Sequence, residues 1–119
     1  MINNILSWLA EAPQLGGESI SWNYLPSYAG WSLTIPKSGI RQDILGNVQT
    51  RLQLKITRRI SIQSNADRLE AFSALEDLAA WACENPPPGT RLKVSGLPEF
   101  TSRAGSGVED ISITLTMES

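Results

Sequence analysis

A chain of 119 residues, 41% hydrophobic and 18% charged, is enough material for one domain with its own core, and that balance excludes a disordered or fibrous chain. A net charge of -2 gives no global attraction for nucleic acid or anionic lipid, so any such binding needs a local patch. With no histidine and a single cysteine, Cys83, the chain lacks the commonest base at neutral pH and the ligand sets of zinc and iron–sulfur sites.

Ile2, Ile5, Leu6 and Leu9 recur at i, i+3, i+4 and i+7, which predicts a short amphipathic helix stopped by Pro13. Met1 to Ala12 has neither the basic start nor the apolar run of a signal peptide. No stretch approaches the roughly 20 apolar residues of a membrane span, so a cytosolic protein with no membrane partner is expected. After the loop "PQLGGES", Ile20, Trp22 and Tyr24 share one parity, as do Trp31, Leu33 and Ile35 beyond "LPSYAG". That pattern sends Trp22, Tyr24 and Trp31 into the core and leaves Tyr28, in the connection, as the ring placed to meet a partner.

From Val48 to Ile62, Val48, Thr50, Leu52, Leu54, Ile56, Ile60 and Ile62 alternate with polar residues, and only Arg58 interrupts the apolar parity. At about 3.3 Å per residue such a strand runs about 50 Å, so a bend or bulge is expected, with Arg58 as its place. "IRQDIL" and the Gly46-Asn47 pair just upstream predict a hairpin with a tight turn. Ala66 to Glu84 has a second helical pattern in Leu69, Phe72, Leu75, Leu78 and Trp81, capped by Ser64 or Asn65 and ended by "ENPPPG". Two further strands follow, around Leu92 and Val94 and from Ile111 to Met117, separated by the long loop "GLPEFTSRAGSG" around Phe100.

The element order predicts an α+β fold in a single domain over 1–119. Its sheet is mainly antiparallel, with about five to six strands, and one long and one short helix pack on one face.

Catalytic signatures are missing. The glycines fit neither a dinucleotide fingerprint nor a phosphate loop. Glu76-Asp77 and Glu109-Asp110 are adjacent pairs, which diverge on a helix or strand and read as solvated charge. Cys83, beside alanine and glutamate near a helix end, reads as a small packing residue. No catalytic, metal or cofactor residue is assigned, and an enzyme is not expected.

Charge is segregated. Arg51, Lys55, Arg58 and Arg59 lie in a stretch without an acid, whereas the helix from 66 to 84 carries Asp67, Glu70, Glu76, Asp77 and Glu84 against Arg68. Two solvated faces explain this, and so does head-to-tail self-association, in which the basic strand of one copy meets the acidic helix of the next and the rotation closes a ring. A basic groove for single-stranded nucleic acid is a third reading.

"LGGESISWNYLPSYAGWSLTI", "LGNVQTRLQLKITRRIS", "ADRLEAFSALEDLAAWACEN" and "GVEDISITLTMES" together resemble the tail-terminator or minor capsid family of long-tailed bacteriophages and prophages. The "YLP" after an alternating strand and the tryptophan late in the long helix carry most of that resemblance. It implies a structural virion protein at the tail–head junction, assembled in the host cytoplasm. Such a protein caps the completed tail tube as a six-membered ring and meets the head connector, and double-stranded DNA passes through its lumen unread. It implies no cofactor and no catalytic residue.

On that footing Arg51, Lys55, Arg59, Glu76 and Asp77 are candidate intersubunit or channel contacts. Tyr28, Gly46, Asn47, Phe100 and Arg103 are candidate contacts to neighbouring ring proteins. A head-closure protein of the same connector region is the alternative within this machinery, and a nucleic-acid-binding module the alternative outside it.

Overall fold

The computed structural model describes residues 2–16, 18–22, 30–42, 48–61, 64–105 and 108–118, and side chains within 4–16, 18–22, 30–35, 51–61, 64–100 and 108–118. The elements are α1 (Ile2–Leu9), β1 (Ile20–Trp22), β2 (Gly30–Gln42), β3 (Val48–Ser61), α2 (Asn65–Glu84), β4 (Arg91–Val94), β5 (Glu99–Gly105) and β6 (Val108–Glu118). The strands form one sheet in the order β1-β2-β3-β6-β4, with β5 also on β6. β1 runs parallel to β2 and every other pair is antiparallel, so the expected α+β class and helix-covered sheet hold, with one parallel edge.

In α1, Ile5, Trp8 and Leu9 are buried and Leu6 packs against them, so the expected apolar face also contains a tryptophan. The loop after it contains a 3-10 turn at Pro13–Leu15, closed by Gly16 at φ 61, a conformation that suits glycine. α2 begins with a capping box between Ser64 and Asp67, the Ser64 N–H donating to Asp67 Oδ2 at 3.1 Å. Its buried face is Ala71, Leu75, Leu78, Ala79 and Ala82.

Leu69, expected on that face, is 65% exposed. Steps of three residues fall short of a full helical turn by about 60°, so a row taken every third residue winds around the helix and leaves the sheet at its ends. At the other end of the row, Trp81 stacks on Trp8 of α1, with ring centroids 5.5 Å apart. The Trp8 Nε1–H donates to the Asn85 carbonyl at 2.6 Å, which joins the two helices over the core.

β3 runs without a register break against β6, from Arg51 opposite Glu118 to Ser61 opposite Val108. The bulge expected at Arg58 lies instead on β2, between Thr34 and Lys37, where Pro36 has no N–H for the ladder. Arg58 stays in register on the apolar face, opposite Trp31, and lays its guanidinium carbon 5.0 Å from that ring's centroid. Trp31 is buried as expected, and its Nε1–H donates to Glu18 Oε2 at 2.8 Å.

Trp22, also expected in the core, is 42% exposed. It ends β1, the edge of the sheet, where no further strand shields it among the described residues. Tyr24, Tyr28 and the Gly46-Asn47 turn lie outside the described residues. The segment expected as a loop around Phe100 contains β5. β4 covers only Leu115 to Glu118 of β6, and β5 takes up the ladder from Val108 to Ser112 on the same edge.

The core fills the space between the helices and one face of the sheet. The chain is elongated, 55 × 24 × 24 Å, with a radius of gyration of 15.1 Å, against about 13.5 Å for a compact domain of this length.

Candidate functional site: the polar face of the sheet

Alternation along β3 puts Leu52, Leu54, Ile56 and Ile60 against the helices, and Arg51, Gln53, Lys55, Thr57 and Arg59 on the opposite face. β6 supplies their cross-strand partners. Glu118 lies opposite Arg51, Thr114 opposite Lys55, Ser112 opposite Thr57 and Asp110 opposite Arg59.

Two of the three basic residues singled out on this face are therefore paired within the chain. Arg51 Nη2 lies 2.8 Å from Glu118 Oε1 at an exposed position. Arg59 reaches Asp110 with two hydrogen bonds, at 2.7 and 2.9 Å, in a far less exposed one. Hydrogen bonding to Asp110 raises the Arg59 pKa, with the Asp110 charge adding to it against the opposing pull of burial. Between the two pairs, the Thr57 and Ser112 hydroxyls are buried 2.8 Å apart.

Lys55 differs. It has no ion pair among the described residues, and it lines an open groove of about 420 Å³ with Ser112, Thr114, Glu99 and the bend from Ser95 to Leu97. One cation, one carboxylate and several hydroxyls in an open trough can hydrogen-bond a partner's side chains.

Glu109 and Asp110 diverge to opposite faces, but they are not the solvated charges expected. Both are buried. Glu109 Oε2 accepts from Arg68 Nε of α2 at 2.9 Å on the helix side, while Asp110 holds Arg59 on the other. Under cover, a guanidinium meets each carboxylate.

The acidic helix residues Glu76 and Asp77 are exposed on α2, in the layer on the far side of the sheet from Lys55. Within one chain the fold therefore separates the basic and acidic candidates. Phe100 is 42% exposed on β5, and Arg103 stands opposite Glu109 in the register, its side chain outside those described.

Sequence reading missed the β6 partners, although a signal was present. Arg51 and Arg59 are eight positions apart, and so are Asp110 and Glu118. In an antiparallel pair, equal spacing lets both ion pairs form in one register.

No protein-family model matches the chain, and no curated protein matches it. The solved structure of an uncharacterised protein is similar over 98% of this chain and 87% of its own, with 14% identical residues and a TM-score of 0.49.

Proposed function

We propose that the chain is a structural protein of phage morphogenesis, a tail terminator that forms a ring on the completed tail tube and joins it to the head connector. The observation that supports this reading best is the arm made by β2 and β3. β6 ends at Glu118, opposite Arg51, so Val48, Gln49 and Thr50 pair with β2 alone among the described strands. Among the described strands, the β2–β3 pair thus runs beyond the other strands of the sheet in a molecule 55 Å long and 24 Å wide. A projecting two-stranded arm has little core of its own, and burial against a neighbouring molecule stabilises it.

The polar sheet face suits the lumen of such a ring. Pairing of Arg51 and Arg59 with Glu118 and Asp110 weakens the pull of that face on DNA, and Lys55, Arg91 and Lys93 remain as cations there. DNA passage without sequence recognition needs a surface of that kind. Glu76 and Asp77 then face outward or toward a neighbour.

Native mass spectrometry across a concentration series, with and without tail tubes, tests the proposal. A six-copy particle bound to tube ends is the expected result. Copies that stay with heads and ignore tubes would transfer the protein to head closure, and salt-sensitive binding of nucleic acid by a monomer would replace the structural reading altogether.

A further inference from the structure

The β1 and β4 edges of the sheet differ in charge, and each leaves apolar side chains exposed. Residues 1–36, which form α1, β1 and the start of β2, contain Glu11 and Glu18 and no lysine or arginine. Residues 85–98, which include β4, contain Arg91 and Lys93 and no acid. All four charged residues are exposed. β1 and β4 lie at opposite ends of the strand order, and neither pairs on its outer side with another described strand.

The apolar residues left uncovered follow the same division. Trp22 is exposed on β1, and Val94, Leu97 and Phe100 are exposed on and between β4 and β5. Register places them on one face. Trp22 lies beside Leu33, Val94 opposite Leu115 and Phe100 opposite Ile111, and all three partners are buried toward the helices. If β1 of one copy were laid beside β4 of another with the helices on the same side, Trp22 would fall on the side of Val94 and Phe100.

We propose that this is how copies join: the β1 edge of one chain docks on the β4–β5 edge of the next. Trp22 covers the Val94–Phe100 strip, and the acidic β1 edge meets Arg91 and Lys93 of β4, with the exposed Glu99 of β5 lying beyond that basic stretch. The partner is a second copy because a head-to-tail contact needs two different, mutually complementary surfaces on one chain, and these edges provide them. The inference rests on the self-assembly proposed above and names its surface. β1 has three residues and β4 four, so each contact is short, and association of the free protein is expected only at high concentration.

Mixed cross-linking tests the contact in a Cys83→Ser background. Ser21→Cys and Lys93→Cys chains, oxidised together at high concentration or on tail tubes, should form a mixed disulfide dimer that neither forms alone. Trp22→Ala should weaken association about 30-fold, the size expected for a buried tryptophan anchor. Lys93→Glu, a surface change, should weaken it in the same direction. If the wild-type chain assembles but no mixed disulfide forms and neither variant weakens assembly, the edge contact is wrong and the ring reading survives. Self-cross-linking of the Ser21→Cys chain would mean a two-fold contact and would also overturn the proposal. A chain that stays monomeric at every concentration, with tubes present, removes both readings.

Discussion

Arg59 and Asp110 face each other across β3 and β6 and are joined by two parallel hydrogen bonds, Nε–H to Oδ1 at 2.7 Å and Nη2–H to Oδ2 at 2.9 Å. Their side chains are 18% and 6% exposed, against 52% and 38% for Arg51 and Glu118 in the same ladder. Equal chemistry at unequal depth predicts unequal cost. Asp110→Ala should destabilise the fold by about 3 kcal/mol, because Arg59 loses its bidentate partner in a poorly solvated place. Glu118→Gln should cost under about 1 kcal/mol. Urea denaturation of both variants checks the difference, and equal midpoints would show that burial does not govern these pairs.

Trp8 joins α1 to α2 by two separable interactions, the stack on Trp81 and the hydrogen bond to the Asn85 carbonyl. Trp8→Phe keeps a ring and loses the donor, with an expected loss of about 1 kcal/mol plus a smaller packing term. Trp8→Ala loses both and leaves a cavity, at about 3–5 kcal/mol. A double-mutant cycle with Trp81→Ala should return a coupling of about 0.5–1.5 kcal/mol. Zero coupling would mean that the stacked geometry contributes nothing beyond burial.

The elements that alternation or helical spacing specifies strongly were legible in the sequence. β3 and β6 alternate cleanly because one face packs on helices and the other meets polar partners. β5 was hidden because Glu99 to Gly105 has no such alternation, and an open stretch of the β6 ladder, supplied by distant residues, decides its pairing. Arg58 looked like a break in the strand because its compensation, the face of Trp31, comes from another strand. The buried Glu109 and Asp110 looked solvated for the same reason, since their arginines lie 41 and 51 residues away. The parity of β1 correctly put Trp22 on the helix-side face, but parity says nothing about whether a strand is an edge. Of the candidate contacts, Arg51, Lys55 and Arg59 share a face because they alternate on one strand, whereas their separation from Glu76 and Asp77 depends on which side α2 packs.

Cys83 is partly buried near the end of α2, and its thiol pKa is raised by burial first and by the charge of Glu84 second. The sign follows from linkage. Below the ordinary thiol value of about 8.5 both folded and unfolded chains hold the proton, and this contribution to stability is fully present. Above it the unfolded chain ionises first, and stability is lost as pH rises through the folded value. Cys83→Ser should therefore flatten the alkaline fall in stability relative to the wild type. Parallel slopes for the two proteins above pH 8.5 would show that burial does not hold the proton.

Lys55 lies between Thr34 on β2 and Thr114 on β6, so changing it breaks no ion pair among the described residues. Arg51→Glu, by contrast, sets two carboxylates against each other at Glu118 and would confuse a loss of fold with a loss of contact. Lys55→Gln is the cleaner probe of the polar face. Its unfolding free energy should stay within about 0.5 kcal/mol of the wild type, as for most surface changes. Lys55→Glu adds repulsion toward Glu99 in the same groove and should cost slightly more. If the polar face meets a neighbour or lines the channel, both variants should load onto tail tubes less well, the glutamate more so, and added salt should narrow the gap. Tube loading that matches the wild type for both would take this face out of the assembly and leave the sheet edges to hold the copies together.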